Sequence, residues 1–354
     1  MEEINKLINT GFELHKKGDF KNALNCYLKA NRNDNSQLLF LIGNTYLQLN
    51  QIDKSVKFFK DCISIDPNNI AALNNLGGAF QSLKDYNKAI EIYEQAIKIK
   101  PNYLDALRNL GNCQSYLKKF SDALNSYQKA LEIDPNNYVI YNNLGIAFEK
   151  LSNIEEAIKS YRRSIKLNPD YYFSYNNLGN LYQNTRNYLE ASKYYKKIYS
   201  MKPDFDYIFG KVIHTNMLIC EWTNFYQDIE NLKISLKKNL KVISPFTILS
   251  LIDDPEYHKI CSEIYSKEKF TKTKKEIFSK KSKSKIKLGY FSPDFRNHPV
   301  LKITKDIFKY HDKSKFEIFA FSFAPKEDEM TKEVKNYFTK FIDISKNSDF
   351  DVKK

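Results

Sequence analysis

The sequence holds one tryptophan, five histidines and five cysteines in 354 residues, and none of these residue types is clustered. Cys26, Cys62, Cys113, Cys220 and Cys261 show no paired spacing, which suits a reducing cytoplasm rather than a disulfide or zinc framework. No apolar run reaches the roughly 18 residues that a membrane-spanning helix needs. Met1–Lys6 lacks a basic stretch followed by an apolar core, so no signal peptide is read there. Neither a glycine-rich phosphate loop nor a Ser/His/Asp constellation occurs. Asp204-Phe205-Asp206 and Asp349-Phe350-Asp351 satisfy a metal-binding Asp-x-Asp spacing. That pattern is weak, and no metal site and no cofactor are read from it.

Acidic residues are also in deficit, 42 against 56 basic ones, for a net charge of +14. Such a balance invites a nucleic-acid partner. Over half the excess, however, sits in residues 267–287, where ten lysines face only Glu268 and Glu276. No regular alternation of aromatic and basic residues accompanies it, as a single-strand binder would need. A solvated linker is the favoured reading over a nucleic-acid or membrane-surface patch. With 42% hydrophobic and 28% charged residues the chain has the composition of a soluble folded protein, and its length suggests two or three units.

What the sequence has in abundance is repetition. A proline returns every 34 residues, at Pro67, Pro101, Pro135, Pro169 and Pro203. Each closes one pattern, clearest as Leu76-Gly77, Ala89, Tyr93, Ala96, Pro101, then Leu110-Gly111, Ala123, Tyr127, Ala130, Pro135, and again Leu144-Gly145, Ala157, Tyr161, Ser164, Pro169. Small residues at Gly77 and Ala89 suit the close approach of two helices, Leu76, Tyr93 and Ala96 suit the facing surfaces, and proline stops the second helix. This pattern resembles the tetratricopeptide repeat. Residues 4–35 read as a degenerate first copy, with Gly11, Ala23, Tyr27 and Ala30 in place, and full copies follow at 36–69, 70–103, 104–137, 138–171 and 172–205. The fold class expected is therefore mostly α, a solenoid of six repeats over 1–205, whose concave face would take protein or peptide partners.

Asn75, Asn109, Asn143 and Asn177 recur immediately before the Leu-Gly pair, inside the helix, where asparagine is a poor former. One reading is a ladder of carboxamides that hold the backbone of an extended peptide. The other is a harmless polar position copied by duplication, or local bonding to a helix carbonyl. Leu41 interrupts the row in the second repeat. After Pro203 the period fails, and 206–266 reads as a helical connector. There Trp222 is expected as a core anchor, and His214 and His258 as packed or surface histidines. A basic linker at 267–284 follows, and then strand, helix, strand, helix, strand over 285–354. The strands are at Ile286–Phe291, Phe316–Phe321 and Phe341–Ile344, with helices at 300–310 and 328–339. That order opens a parallel α/β sheet.

Gly-Tyr-Phe-Ser-Pro-Asp-Phe-Arg-Asn-His-Pro at 289–299 resembles the opening of the catalytic region of the O-linked N-acetylglucosamine transferase and SPINDLY family. With the repeats and connector, the resemblance spans essentially the whole chain. It implies a Rossmann-like first lobe of a two-lobed glycosyltransferase, a UDP-GlcNAc donor, serine or threonine acceptors, inversion at the anomeric carbon, and no metal. SPINDLY relatives use GDP-fucose, so the sugar stays open. It also implies a use of the asparagine row for acceptor peptides, and a catalytic role for His298 near acceptor hydroxyl and donor phosphate. Against this stands a capping or turn histidine. Lys302 takes the place of a second family histidine, and either meets a phosphate or faces solvent. Asp294 reads as a loop-bonding residue. Because the sequence stops just after the third strand, it is read as truncated within the first lobe and inactive alone. The competing reading is a non-catalytic tetratricopeptide adaptor.

Overall fold

A computed structural model describes residues 2–31, 34–269, 285–324 and 326–345. It divides into two compact units, residues 1–272 and 273–354. Most of the basic linker, from residue 270 on, and Asp349–Asp351 lie outside the described residues.

The first unit is a run of helical hairpins. They pair α1 (Glu2–Lys16) with α2 (Phe20–Ala30), α3 (Ser36–Gln48) with α4 (Ile52–Ile65), and α5 (Ile70–Ser82) with α6 (Tyr86–Ile99). The series continues with α7 (Leu104–Tyr116) and α8 (Phe120–Ile133), α9 (Tyr138–Lys150) and α10 (Ile154–Leu167), and α11 (Tyr172–Asn184) and α12 (Tyr188–Met201). Every second helix from α4 on ends two residues before the recurring proline. Many of the helix starts are capped: Asn69, Asp85, Asn137, Asn153 and Asn187 each accept a backbone N–H of the first turn through the side chain.

Each hairpin closes around one ring. Tyr27, Phe59, Tyr93, Tyr127, Tyr161 and Tyr195 are fully buried, and each lies against a glycine of the preceding helix. A Cβ added at Gly145 would fall 2.5 Å from Tyr161 Cε1, so only glycine lets the two helices approach this far. First helices of successive hairpins touch one another, α3 to α5, α5 to α7, α7 to α9 and α9 to α11, and so line the inner side of the stack. The tight turn within each hairpin puts a residue in the left-handed region, Gly18 in the first and Asn50, Lys84, Lys118, Ser152 and Arg186 in the others.

The helices α13 (Ile208–Leu218), α14 (Phe225–Lys237), the short α15 (Pro245–Ile248) and α16 (Pro255–Lys269) close this unit around a core of Phe209, Ile213, Leu232, Leu236, Ile243 and Cys261. Trp222 is not the core anchor expected. It is half exposed, edge-on to Phe225 at 5.1 Å, because Ile and Leu side chains already fill that interior. His258 Nε2 meets the Ile252 carbonyl at 2.6 Å. None of the helices described is long and apolar enough to cross a membrane.

The second unit contains three parallel strands, β1 (Ile286–Ser292), β2 (Phe316–Ser322) and β3 (Lys340–Asp343), in the order β1-β2-β3. They alternate with α17 (Pro299–Lys309) and α18 (Glu329–Lys335). α18 is shorter than the 328–339 expected, because Asn336–Thr339 turn to bring the Thr339 N–H to the Ile318 carbonyl and set β3 in register. Phe295, Leu301, Phe308, Ile318, Val334 and Phe338 form the core between sheet and helices.

Candidate functional site

The recurring asparagines stand half-buried on the inner helices. Each donates its amide across the gap to the preceding repeat. Asn75 Nδ2 reaches Asn44 Oδ1 at 2.7 Å, Asn109 reaches Asn74 at 3.4 Å, Asn143 reaches Asn112 at 2.9 Å, and Asn177 reaches Asn142 at 2.9 Å. The acceptor thus alternates between two positions one helical turn apart. Where the later of the two is not asparagine (Gly78, Ile146), the earlier one is (Asn74, Asn142). These acceptors escaped the sequence reading because neither position is asparagine in every repeat. The bonds join repeats rather than returning to a helix carbonyl, which removes the cost of a polar side chain at a half-buried helical position. The oxygens of Asn75 and Asn143 accept from the adjacent Asn74 and Asn142, at 3.3 Å each. Those of Asn109 and Asn177 take no donor among the described residues. Asn143 also borders an open groove of about 540 Å³ with Gln81, Asn112, Ser115, Tyr127 and Ile146.

In the second unit, the 294–298 segment leaves β1 and enters α17. Phe295 turns inward, 2% exposed, against Phe308, Phe338 and Phe341. Its carbonyl accepts from Thr331 Oγ1 at 2.7 Å, and the Asn297 N–H donates to Asp328 Oδ2 at 2.6 Å. The loop is therefore bolted to the start of α18. The Asn297 bond, with others from Thr331, holds the Asp328 carboxyl below its ordinary range.

His298 is the N-cap of α17: its Nδ1 accepts from the Val300 N–H at 3.2 Å. Asp294 Oδ2 lies 3.7 Å from the same nitrogen. The two neighbours select opposite tautomers. The capping bond leaves Nδ1 bare and the proton on Nε2, which can then donate to a ligand oxygen. A ring whose Nδ1–H turns to Asp294 frees Nε2 to accept a proton. Lys302 follows one turn later, exposed, and its N–H bonds the His298 carbonyl. Arg296, not singled out from the sequence, holds a buried Nε with no partner among the described residues. A guanidinium donor and the N-terminus of α17 together make this loop receptive to an anion. Beside it, β1 and α17 enclose a cleft of about 230 Å³ lined by Ser292, Asp294, Val300, Thr304 and Ile307. Asp206 of the discounted Asp-x-Asp pair is tied to Lys241 at 3.3 Å.

Residues 257–351 match the family model of glycosyl transferase family 41, and models of the tetratricopeptide repeat match 36–69, 69–136, 138–171 and 160–191. The chain carries tetratricopeptide repeats and a segment that matches glycosyl transferase family 41. The family 41 match begins within α16, ahead of residue 285, where the sequence suggests the lobe begins. Among solved structures, a tetratricopeptide repeat protein from Parabacteroides merdae is 16% identical and superposes with a TM-score of 0.57, over 75% of this chain and 100% of that one. MamA from Desulfovibrio magneticus is 20% identical, with a TM-score of 0.46 over 48% of this chain and 97% of that one. YrrB, described as a repeat protein with an unusual peptide-binding site, is 19% identical, with a TM-score of 0.43 over 50% of this chain and 93% of that one. No curated protein matches.

Proposed function

We propose that the chain is the acceptor-recognising and first-lobe portion of a cytoplasmic protein O-glycosyltransferase. It moves N-acetylglucosamine from UDP-GlcNAc to serine or threonine, without a metal. The observation that carries this reading is the 289–299 segment, which forms a strand, a loop and a helix N-terminus within a stretch matching family 41. His298 is the acid–base residue, Arg296 and the start of α17 meet the diphosphate, and Lys302 adds a cation one turn on. The acceptor peptide lies along the asparagine row, held by the Asn109 and Asn177 oxygens and by the groove beside Asn143.

The adaptor reading draws on one observation, that Nδ1 of His298 is spent on capping α17. Asparagine is itself a good N-cap, so His298→Asn keeps the helix start and removes the titratable ring. The test measures transfer from UDP-GlcNAc to serine and threonine peptides, by the chain alone and with the second lobe of a family 41 transferase added in trans. Where transfer occurs, His298→Asn should reduce it by roughly 10²–10⁴. A reduction of less than about threefold makes His298 a cap and nothing more. No transfer in either arrangement leaves the adaptor.

A further inference from the structure

The asparagine row does not stop where the repeats lose their period. Residue 211 stands 34 positions after Asn177, on α13, and it is a lysine. Like the asparagines before it, Lys211 reaches back to the preceding repeat. Both acceptor positions are asparagine there, and Nζ donates to Asn176 Oδ1 and Asn180 Oδ1 at 2.8 Å each. Asn180 accepts Tyr195 Oη as well, at 2.8 Å, and the ammonium lies 5.1 Å from the centre of that ring. Two carbonyl oxygens and an aromatic face orient the group, yet they carry no formal negative charge.

No carboxylate among the described residues pairs with Lys211. Burial alone pulls its amine down to about 8, with no acid acting to hold it up, and at neutral pH it still carries its proton. Twelve other lysines and arginines of the described chain sit against an acid, whereas this one is half-buried without one. An uncompensated cation that has lost much of its water is costly to a fold, and it gains most from an anion supplied by a ligand. An ammonium has three donors, and two are taken.

We infer that Lys211 is the charge-reading end of the inner face, where its remaining N–H pairs with a carboxylate of the bound acceptor peptide. The inference rests on the peptide-binding reading of the asparagine row and adds to it a preference for acid at one end of the peptide. Carboxylate is the chemistry, and an aspartate or glutamate side chain or the peptide's own C-terminus could supply it.

The experiment selects 12-residue peptides from a random displayed library on the full chain, then synthesises the best binder with amidated and with free C-terminus. Each form, and its variants with every acidic residue changed to the amide, is titrated by calorimetry against the parent, Lys211→Met, Lys211→Gln and Lys211→Arg. Thermal unfolding of each variant confirms that it is folded. Removing the carboxylate should weaken binding to the parent and to Lys211→Arg by about tenfold, as the loss of a charge-assisted hydrogen bond would. It should change binding to Lys211→Met and Lys211→Gln by less than about twofold, so that the two losses are coupled rather than additive. Which form shows the coupling, side-chain acid or free terminus, names the source. Binders that lack a carboxylate, or that lose the same affinity on all four proteins, overturn the inference while the peptide-binding reading stands. A library that yields no binder overturns both.

Discussion

Gly77 and Gly78 are consecutive in α5, and the same change at each should move stability in opposite directions. Alanine in place of a helical glycine gains about 1 kcal/mol from backbone entropy and helix preference. At Gly78 little opposes that gain, because a new Cβ would meet only Tyr93 Oη, at 3.8 Å. At Gly77 the new Cβ would lie 2.6 Å from Tyr93 Cε1, 2.7 Å from Cζ and 2.9 Å from Cδ1. Carbon atoms rest at roughly 3.5–4.0 Å, so the ring must retreat by about 1 Å. Tyr93 is 0% exposed and packed among Phe59, Cys62, Leu76, Ala89 and Ala96, so retreat means spreading the hairpin. Overpacking of this severity costs about 3 kcal/mol, which leaves Gly77→Ala near 2 kcal/mol destabilised. Gly78→Ala should be stabilised by about 1 kcal/mol. Urea unfolding followed by far-ultraviolet circular dichroism measures both, with the slope compared to confirm that the same surface unfolds. Midpoints that shift in the same direction by similar amounts would show that contact with the ring is not what requires glycine at this position.

Glu268 accepts from Tyr207 Oη at 2.5 Å and pairs with Lys269 and Lys241, which hold its carboxyl at about 2, below an ordinary value of 4.5. The stability it adds is present above pH 4.5 and lost as pH falls toward 2, so Glu268→Gln should flatten acid unfolding in that window; an unchanged acid limb refutes the pairing. Cys220 is exposed, while burial pushes the Cys62, Cys113 and Cys261 thiols up to about 11, 12 and 11. A thiol reagent at pH 8 should therefore label Cys220 fast and Cys62, Cys113 and Cys261 slowly, and Cys220→Ser should remove the Cys220 signal; fast labelling of any of the three buried thiols would contradict the burial.

The hairpins were legible because one packing problem is solved six times. A glycine facing a large ring needs fixed spacing, and a fixed spacing is what a single sequence displays. The strands were legible for a similar reason, as short apolar runs between polar turns. Trp222 was misread because residue type says only that an indole can fill a core, while the space was already taken by Ile213, Leu232 and Ile243. The end of α18 was missed because Asn336–Thr339 are set by pairing to β2, which lies far back in the chain. Lys211 was passed over for a subtler reason. The glycine that marks each repeat is replaced by Ile213, so the pattern breaks two residues after the position that it still controls. Gly210 instead takes the close approach, to Ile243. Among so many lysines, one at a ladder position looks like solvated surface until its two acceptors are seen.

The way the row is bonded also separates two kinds of loss along the inner face. Removing the Asn143 amide leaves Asn112 Oδ1 still taken by Tyr127 Oη at 2.8 Å, and removing the Asn177 amide leaves Asn142 Oδ1 with Ser174 Oγ at 3.0 Å. Each such loss is one neutral hydrogen bond, about 0.5–1.5 kcal/mol, with no orphaned acceptor. At the far end the arrangement differs. Asn180 keeps Tyr195, but among the described residues Asn176 Oδ1 has Lys211 alone. Asn112, Asn142 and Asn180 therefore have a second donor, and Asn176 has none among the described residues. Along this row the asparagines are bonded between repeats, while Lys211 has no counter-charge among the described residues, and this is the arrangement that the proposed reading of a peptide carboxylate requires.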